Sequence, residues 1–331
     1  MKATTAPSDA TLTVDAFRRA AGRATAGRAT AGPHGRKPLT WKKRSTPWIY
    51  MAPAMFVLLL MTVAPAIFIF YSAFRNDKIL GGVGKFVGLD NFITAITNAS
   101  VQHAFLITFG FVAVAVILEM ILGFALALPL AAQTRANKVG AALMLLPFAV
   151  TPAVAAMVFK QLLNPNYGWV GYYLGVFGFP KGIDLLGDPT SAWIVLVILD
   201  MWQWTPFVAL VLMAGLQSLP GEPREAAMVD GATPWQMFRH ITFPAMVPFI
   251  AIAAVLRTIQ AFKTFDSFKI LTGGGPGEST EIINLGIFRV GLQSFNVGLA
   301  CALGVVFLII LSLLIPVMLR IIGRRADPEE M

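Results

Sequence analysis

The chain has 331 residues, of which 56% are hydrophobic and only 13% charged; soluble domains carry about 25% charged residues, so an ordinary soluble enzyme is excluded and a polytopic membrane protein is indicated. A single cysteine, Cys301, in an apolar run, and three scattered histidines, His34, His103 and His240, exclude a disulfide framework and argue against any metal site. The formal charge of +9 does not point to nucleic acid, because ten of the 26 basic residues crowd into the first 46 positions, as the positive-inside bias predicts for a cytoplasmic tail.

Residues 1–46 are rich in Ala, Thr, Gly and Arg and contain a near-repeat, Arg23-Ala-Thr-Ala-Gly27 and Arg28-Ala-Thr-Ala-Gly32. With too little apolar surface for a core, they are expected to be a disordered basic tail. Lys42, Lys43 and Arg44 could serve as a contact to membrane lipid or to a partner. Six apolar segments follow, at roughly 48–74, 105–132, 139–163, 190–216, 245–265 and 298–322. Each meets the requirement of about 20 apolar residues for crossing a bilayer. An even number of spans puts both termini on one side. With the tail inside, inward-facing segments hold 17 basic residues and outward-facing ones 8, which supports cytoplasmic termini. The expected architecture is an all-α membrane protein: a tail to residue 46, a six-span domain over 47–322 and a short cytoplasmic tail over 323–331.

Tyr167, Trp169, Tyr172 and Tyr173 fall in an outer loop, where amphipathic rings sit at headgroup depth. Pro147, Pro152, Pro206 and Pro248 interrupt spans and suggest bent or broken helices. Charge inside a bilayer is costly, so Glu119, Asp200 and Arg257 are expected to face the protein interior or water, while Lys263 lies nearer an outer end and can snorkel outward. Asp200, Trp202, Gln203 and Trp204 combine an acid, an amide and two indoles, a set suited to a sugar-like ligand or to helix packing. Arg257, Gln260 and Thr264 follow helical spacing and share one face of the fifth span. That stripe either lines a solute pathway or supplies a structural ion pair between Arg257 and Asp200 or Glu119. On the pathway reading, Arg257→Ala lowers transport and leaves assembly intact.

Between the fourth and fifth spans lies a charged segment, 217–244. Pro223 can start a helix there, Gly231 can end it in a left-handed residue, and Thr233 with Gln236 can form a capping box around Pro234. The result is a helix–turn–helix knob at the water face. The glycine-rich run Gly273–Gly277 lacks the Gly-Lys-Ser/Thr ending of a phosphate loop and reads as an outer turn. No nucleophile elbow, HExxH pair or serine–lysine arrangement is present. The chain carries no ATP-binding equipment and is expected to need no cofactor.

The pattern Glu225-Ala226-Ala227, three residues, Gly231, nine residues, Ile241, one residue, Phe243-Pro244 resembles the EAA loop of bacterial ABC-importer permeases, with Phe243 where the family has Leu. The flanks Gly215–Pro220, Phe262–Asp266 and Leu271–Gly277 resemble the sugar and glycerol-phosphate branch, in its maltose-type first permease. The resemblance implies a six-span subunit of the bacterial plasma (inner) membrane and no enzyme activity of its own. Its partners are a second permease, two cytoplasmic ABC ATPases and an extracytoplasmic solute-binding protein. It assigns Glu225, Ala226, Ala227, Asp230 and Gly231 to coupling with the ATPase. The family's solute contacts match Arg257, Ala261 and Thr264 here. Two rival readings are an ion-coupled secondary transporter using Glu119 and Asp200, and a scaffold that recruits a partner through the 222–244 knob.

Overall fold

A computed structural model describes residues 41–79, 81, 84–132, 134–178, 180 and 182–323. The predicted tail over 1–40 and the end over 324–331 lie outside them. The chain divides into two compact units, Met1–Ala64 and Pro65–Met331. In order the helices are α1 (Trp41–Ala73), α2 (Asp90–Thr97), α3 (Ala99–Leu130), α4 (Arg135–Met144), α5 (Leu146–Ala149), α6 (Pro152–Leu162), α7 (Trp169–Val176), α8 (Pro189–Ser218), α9 (Glu222–Val229), α10 (Pro234–Met237), α11 (Phe243–Phe262), α12 (Asp266–Leu271), α13 (Ile283–Phe288) and α14 (Val297–Gly323). Two π-helical turns, Phe238–Thr242 and Arg289–Gln293, join α10 to α11 and follow α13. Among the described residues there is no strand beyond two isolated bridges.

Five helical stretches are long and apolar enough to cross a membrane, and the bent pair of α4–α5 and α6 brings the number to six where it is counted as one broken span. Three expectations are corrected in detail. The first helix begins at Trp41, so 41–46 are helical rather than part of a disordered tail; Lys42, Lys43 and Arg44 are good helix formers leading into an apolar run. The third span, expected as one segment over 139–163, is two pieces bent by 88°. Pro152 pushes the preceding residue out of the helical region, and Thr151 duly has ψ 143°. The fifth span starts eleven residues early, because Pro234–Phe262 is continuous through the first π turn.

Side-chain caps set several helix starts. Asn98 accepts from the backbone N–H groups of Ser100 and Val101 at the start of α3, and Asp188 accepts from that of Ser191 at 2.9 Å at the start of α8. Such bonds satisfy donors the first turn leaves orphaned. Within the second unit α3, α8 and α11 pack tightly through small residues. A Cβ on Gly123 would meet Val208 Cγ1 at 2.6 Å, and one on Gly215 would meet the Phe249 ring at 2.6 Å. Close backbone approach of this kind is how helices associate where lipid removes the hydrophobic drive. Phe111, Leu199, Phe262, Phe268, Ile282 and Leu303 form the centre of the core.

The end of the unit opposite the α9–α10 loop is closed by the glycine-rich turn. Thr280 Oγ1 donates to Gly275 O at 2.8 Å and lies 2.8 Å from Thr272 Oγ1, while Asn284 Nδ2 donates to Phe262 O and Thr264 O, both at 2.9 Å, at the end of α11. Arg289 donates to Gly273 O and pairs with Glu281, whose Oε2 lies 2.7 Å from its Nη1. Gly274 passes so close to this pair that a Cβ would sit 2.1 Å from Glu281 Oε2. The Gly273–Gly277 run is thus a turn, as its sequence suggests.

Burial pushes the Glu281 carboxyl above its ordinary value, against the pull of Arg289 and with help from Glu278. A carboxyl raised in the folded state favours folding below its unfolded pKa, and that contribution is lost as pH rises through the folded pKa. The wild-type protein should therefore lose thermal stability relative to Glu281→Gln as pH is raised across that window. Parallel melting curves for the two proteins check it, and a constant difference at all pH values would contradict it.

Candidate functional site

Two constellations gather the residues singled out from the sequence. The first is the α9–α10 loop. Pro223 sits in the first turn of α9, and Glu222 and Glu225 place negative charge where the helix dipole is positive. The helix ends in a Schellman motif: Ala232 N–H donates to Ala227 O at 2.9 Å, and Gly231 N–H to Met228 O at 3.2 Å. Gly231 has φ +78°, the left-handed conformation that glycine adopts without penalty. Thr233 then caps α10: its N–H donates to Gln236 Oε1 at 2.8 Å, and its Oγ1 accepts from Gln236 N–H at 3.3 Å.

Pro234 occupies the first turn of α10, and the helix does not stop at the knob. Pro244 has no N–H to donate back along the helix, and the preceding turn widens to π geometry over Phe238–Thr242 before running on as α11. The second short helix is therefore the head of the fifth span. Glu225, Ala226, Asp230 and Gly231 are exposed and Ala227 is half-buried. Beside them Met228, Val229 and Trp235 are also exposed, Val229 at 89%. These exposed apolar side chains adjoin small residues and carboxylates on one surface. Trp235 stacks on Phe238 at 5.5 Å, and Phe238 meets Phe124 of α3 at 5.8 Å. Sequence reasoning picked out the alanines and the glycine and passed over Met228 and Val229, whose exposure depends on how α9 is turned.

The second constellation lies within the spans. Arg257 of α11 reaches across to Glu119 of α3 and Asp200 of α8. Its Nε and Nη2 donate to the two Glu119 oxygens, the latter at 2.9 Å, and Nη2 also donates to Asp200 Oδ2. Arg257 and Glu119 are fully buried and Asp200 is 4% exposed. The Trp204 ring covers the guanidinium, with Cζ 5.0 Å from its centroid, a favourable cation–π placement. Nη1 has no hydrogen-bond partner among the described residues.

The pathway and ion-pair readings of Arg257 separate here, and the geometry is that of the ion pair, with both acids engaged. The stripe itself divides. Arg257 lies in the core, Thr264 is half-buried and Gln260 is exposed. Three helical residues turn about 300°, so Gln260 stands about 60° off the Arg257 line, enough to turn it out of the core. The Asp200–Trp204 cluster divides likewise. Gln203 is buried and donates to Val150 O at 2.7 Å, at the break in the third span. Trp202 is exposed and packs on Phe159 of α6 at 5.5 Å. Asp200, Trp202 and Gln203 thus serve three different neighbours and do not converge on one ligand. Among the described residues no group of acids, histidines or cysteines is arranged to hold a metal.

Comparison with known proteins places these features in context. Residues 104–328 match the family described as "Binding-protein-dependent transport system inner membrane component". The chain is 33% identical over 275 residues to the trehalose/maltose transport system permease protein MalF of Thermococcus litoralis, covering 83% of this chain and 92% of that protein. It is 30% identical over 284 residues to the sn-glycerol-3-phosphate transport system permease protein UgpA of Agrobacterium fabrum, covering 84% and 95%. In fold it resembles a chain of a bacterial alginate ABC transporter crystallised with an alginate pentasaccharide-bound periplasmic protein, at a TM-score of 0.76 and 22% identity, over 87% of this chain and 98% of that one.

Proposed function

The chain belongs to the binding-protein-dependent transport system inner membrane component family, and from that premise we propose that it is one permease half of an ATP-driven importer for a sugar, sugar alcohol or glycerol-phosphate-like solute. The family makes it a multi-pass transport subunit and not an enzyme. The relatives' names, trehalose/maltose and sn-glycerol-3-phosphate permeases, support the solute class. The partners are a second permease, two ABC ATPases on the cytoplasmic side and an extracytoplasmic solute-binding protein. The α9–α10 loop and both termini face the cytoplasm, and residues 47–322 form the permease domain between the two tails.

The observation that carries the reading is the exposed loop joined without a break to a membrane span. Glu225, Ala226, Ala227, Asp230 and Gly231 shape the face that meets the ATPase, with Met228 and Val229 supplying apolar contact. Movement of that face turns the fifth span directly, and through Arg257 it draws on the second and fourth. Solute passes as the two permease halves alternate their openings. Gln260 and Trp202 are the sequence candidates whose side chains remain exposed for contact with solute or with the second permease.

Reconstitution of the assembled importer with its ATPase and binding protein tests this. Accumulation of labelled trehalose, maltose or glycerol 3-phosphate should require ATP and the binding protein. Uptake driven by an ion gradient without the ATPase would establish the ion-coupled reading instead, and assembly without uptake of any such solute would leave the scaffold reading.

A further inference from the structure

We propose that α7, Trp169–Val176, lies on the bilayer surface and anchors the adjoining half of the broken third span in the lipid headgroup region. The argument starts from composition. Between Lys160 and Lys181 there is no charged residue over twenty positions, and three of the chain's five tyrosines fall within Tyr167–Tyr173. The structure gathers them on a surface. Trp169, Tyr172, Val176 and Phe177 are each at least 65% exposed, and Tyr173 is 57% exposed. On a helix, positions 169, 172, 173 and 176 form one face. That face borders an open groove of about 700 Å³.

The occupant follows from continuity. Immediately upstream, α6 exposes Val154, Met157 and Val158, the apolar side chains by which a spanning helix meets lipid. The connection from α6 to α7 is tightly folded. Asn164 Oδ1 accepts from Asn166 N–H at 2.9 Å, Asn164 O accepts from Gly168 N–H at 2.8 Å, and Tyr167 Oη donates to Gln161 Oε1 at 2.8 Å. Gly168 has no room for a side chain, since a Cβ would lie 2.4 Å from Leu162 O. So α7 is held at the membrane-exit end of α6, which Lys160 ties to Ile270 O at 2.8 Å. Tyrosine and tryptophan, with an apolar body and a polar edge, are enriched at this depth. Among the described residues the groove wall carries no charged side chain; its polar groups are the Asn166 amide, the Trp169 indole N–H and the hydroxyls of Tyr167, Tyr172 and Tyr173, the first of which is already given to Gln161.

The proposal concerns membrane contact and stands whichever solute the importer carries. The assembled importer carrying Val176→Cys in a Cys301→Ala background, labelled with bimane, is placed in nanodiscs whose lipids are brominated near the headgroup. Quenching should match that of the same label at Met157→Cys and exceed severalfold that at Val229→Cys on the α9–α10 loop. Quenching no greater than at Val229→Cys overturns the proposal. So does bimane that ignores brominated lipid and instead responds to the solute-binding protein or to free trehalose, which would assign the face to a protein or a saccharide.

Discussion

Replacing Arg257 with alanine is expected to abolish assembly, so that little folded protein can be extracted from the membrane. Glu119 and Asp200 would be left buried beside each other with no cation, since the described residues place no other basic side chain on either acid. Removing one partner of a buried ion pair typically costs about 3–5 kcal/mol, a large part of the 5–15 kcal/mol by which a folded protein is stable. Replacing the whole group with uncharged side chains of similar size avoids the orphan charges and is often close to neutral. The triple variant Arg257→Met, Glu119→Gln, Asp200→Asn should therefore recover extractable protein. Yield and melting temperature of the detergent-solubilised complex decide between the outcomes. Normal assembly of Arg257→Ala with uptake alone lost would restore the pathway role that the polar stripe suggested.

Gly231→Val is expected to leave membrane insertion intact and to cut ATP-dependent uptake roughly five- to thirtyfold, the effect of about 1–2 kcal/mol on a local equilibrium. A Cβ at Gly231 meets nothing within 4 Å, so crowding is not the cause. The cost lies in φ +78°, which a β-branched residue strongly resists. Asparagine tolerates that conformation, and Gly231→Asn should keep most of the activity. Co-purification of the ATPase should fall with Val and persist with Asn. Equal behaviour of the two variants would remove the turn from the coupling assignment.

These two sites differ in how far the sequence disclosed them. The turn was legible because its determinants are local: Pro234, Thr233, Gln236 and Gly231 each act on backbone within a few residues, and the structure realises each. The spans were legible for the same reason, as apolar length is a property of a continuous run. What escaped were relations between runs. Arg257 is 138 residues from Glu119 and 57 from Asp200, and no local rule says which acid a buried arginine will meet, or that it will hold both. Gln260 belonged to the right stripe but stood at its edge, where the azimuth of α11 decides between core and surface. Pro152 marked an interruption, yet the 88° turn depends on Gln203 and the helices packed around the break.

The uninterrupted run from Pro234 to Phe262 makes the loop and the fifth span a single lever. Its 29 residues measure ~44 Å at the usual rise of 1.5 Å per residue, so a 10° tilt imposed at one tip sweeps the other through ~8 Å. The fulcrum is already marked: Arg257 grips both neighbouring helices near the far tip, and Phe262 O is held by Asn284 just beyond it. On the proposed coupling, a stroke at the α9–α10 end would reach the far side of the Arg257 grip shortened in travel and increased in force, with no break in the helix to absorb it. The π turn widens the helix without breaking it where Pro244 has no N–H to donate, so the arm stays one piece from Pro234 to Phe262.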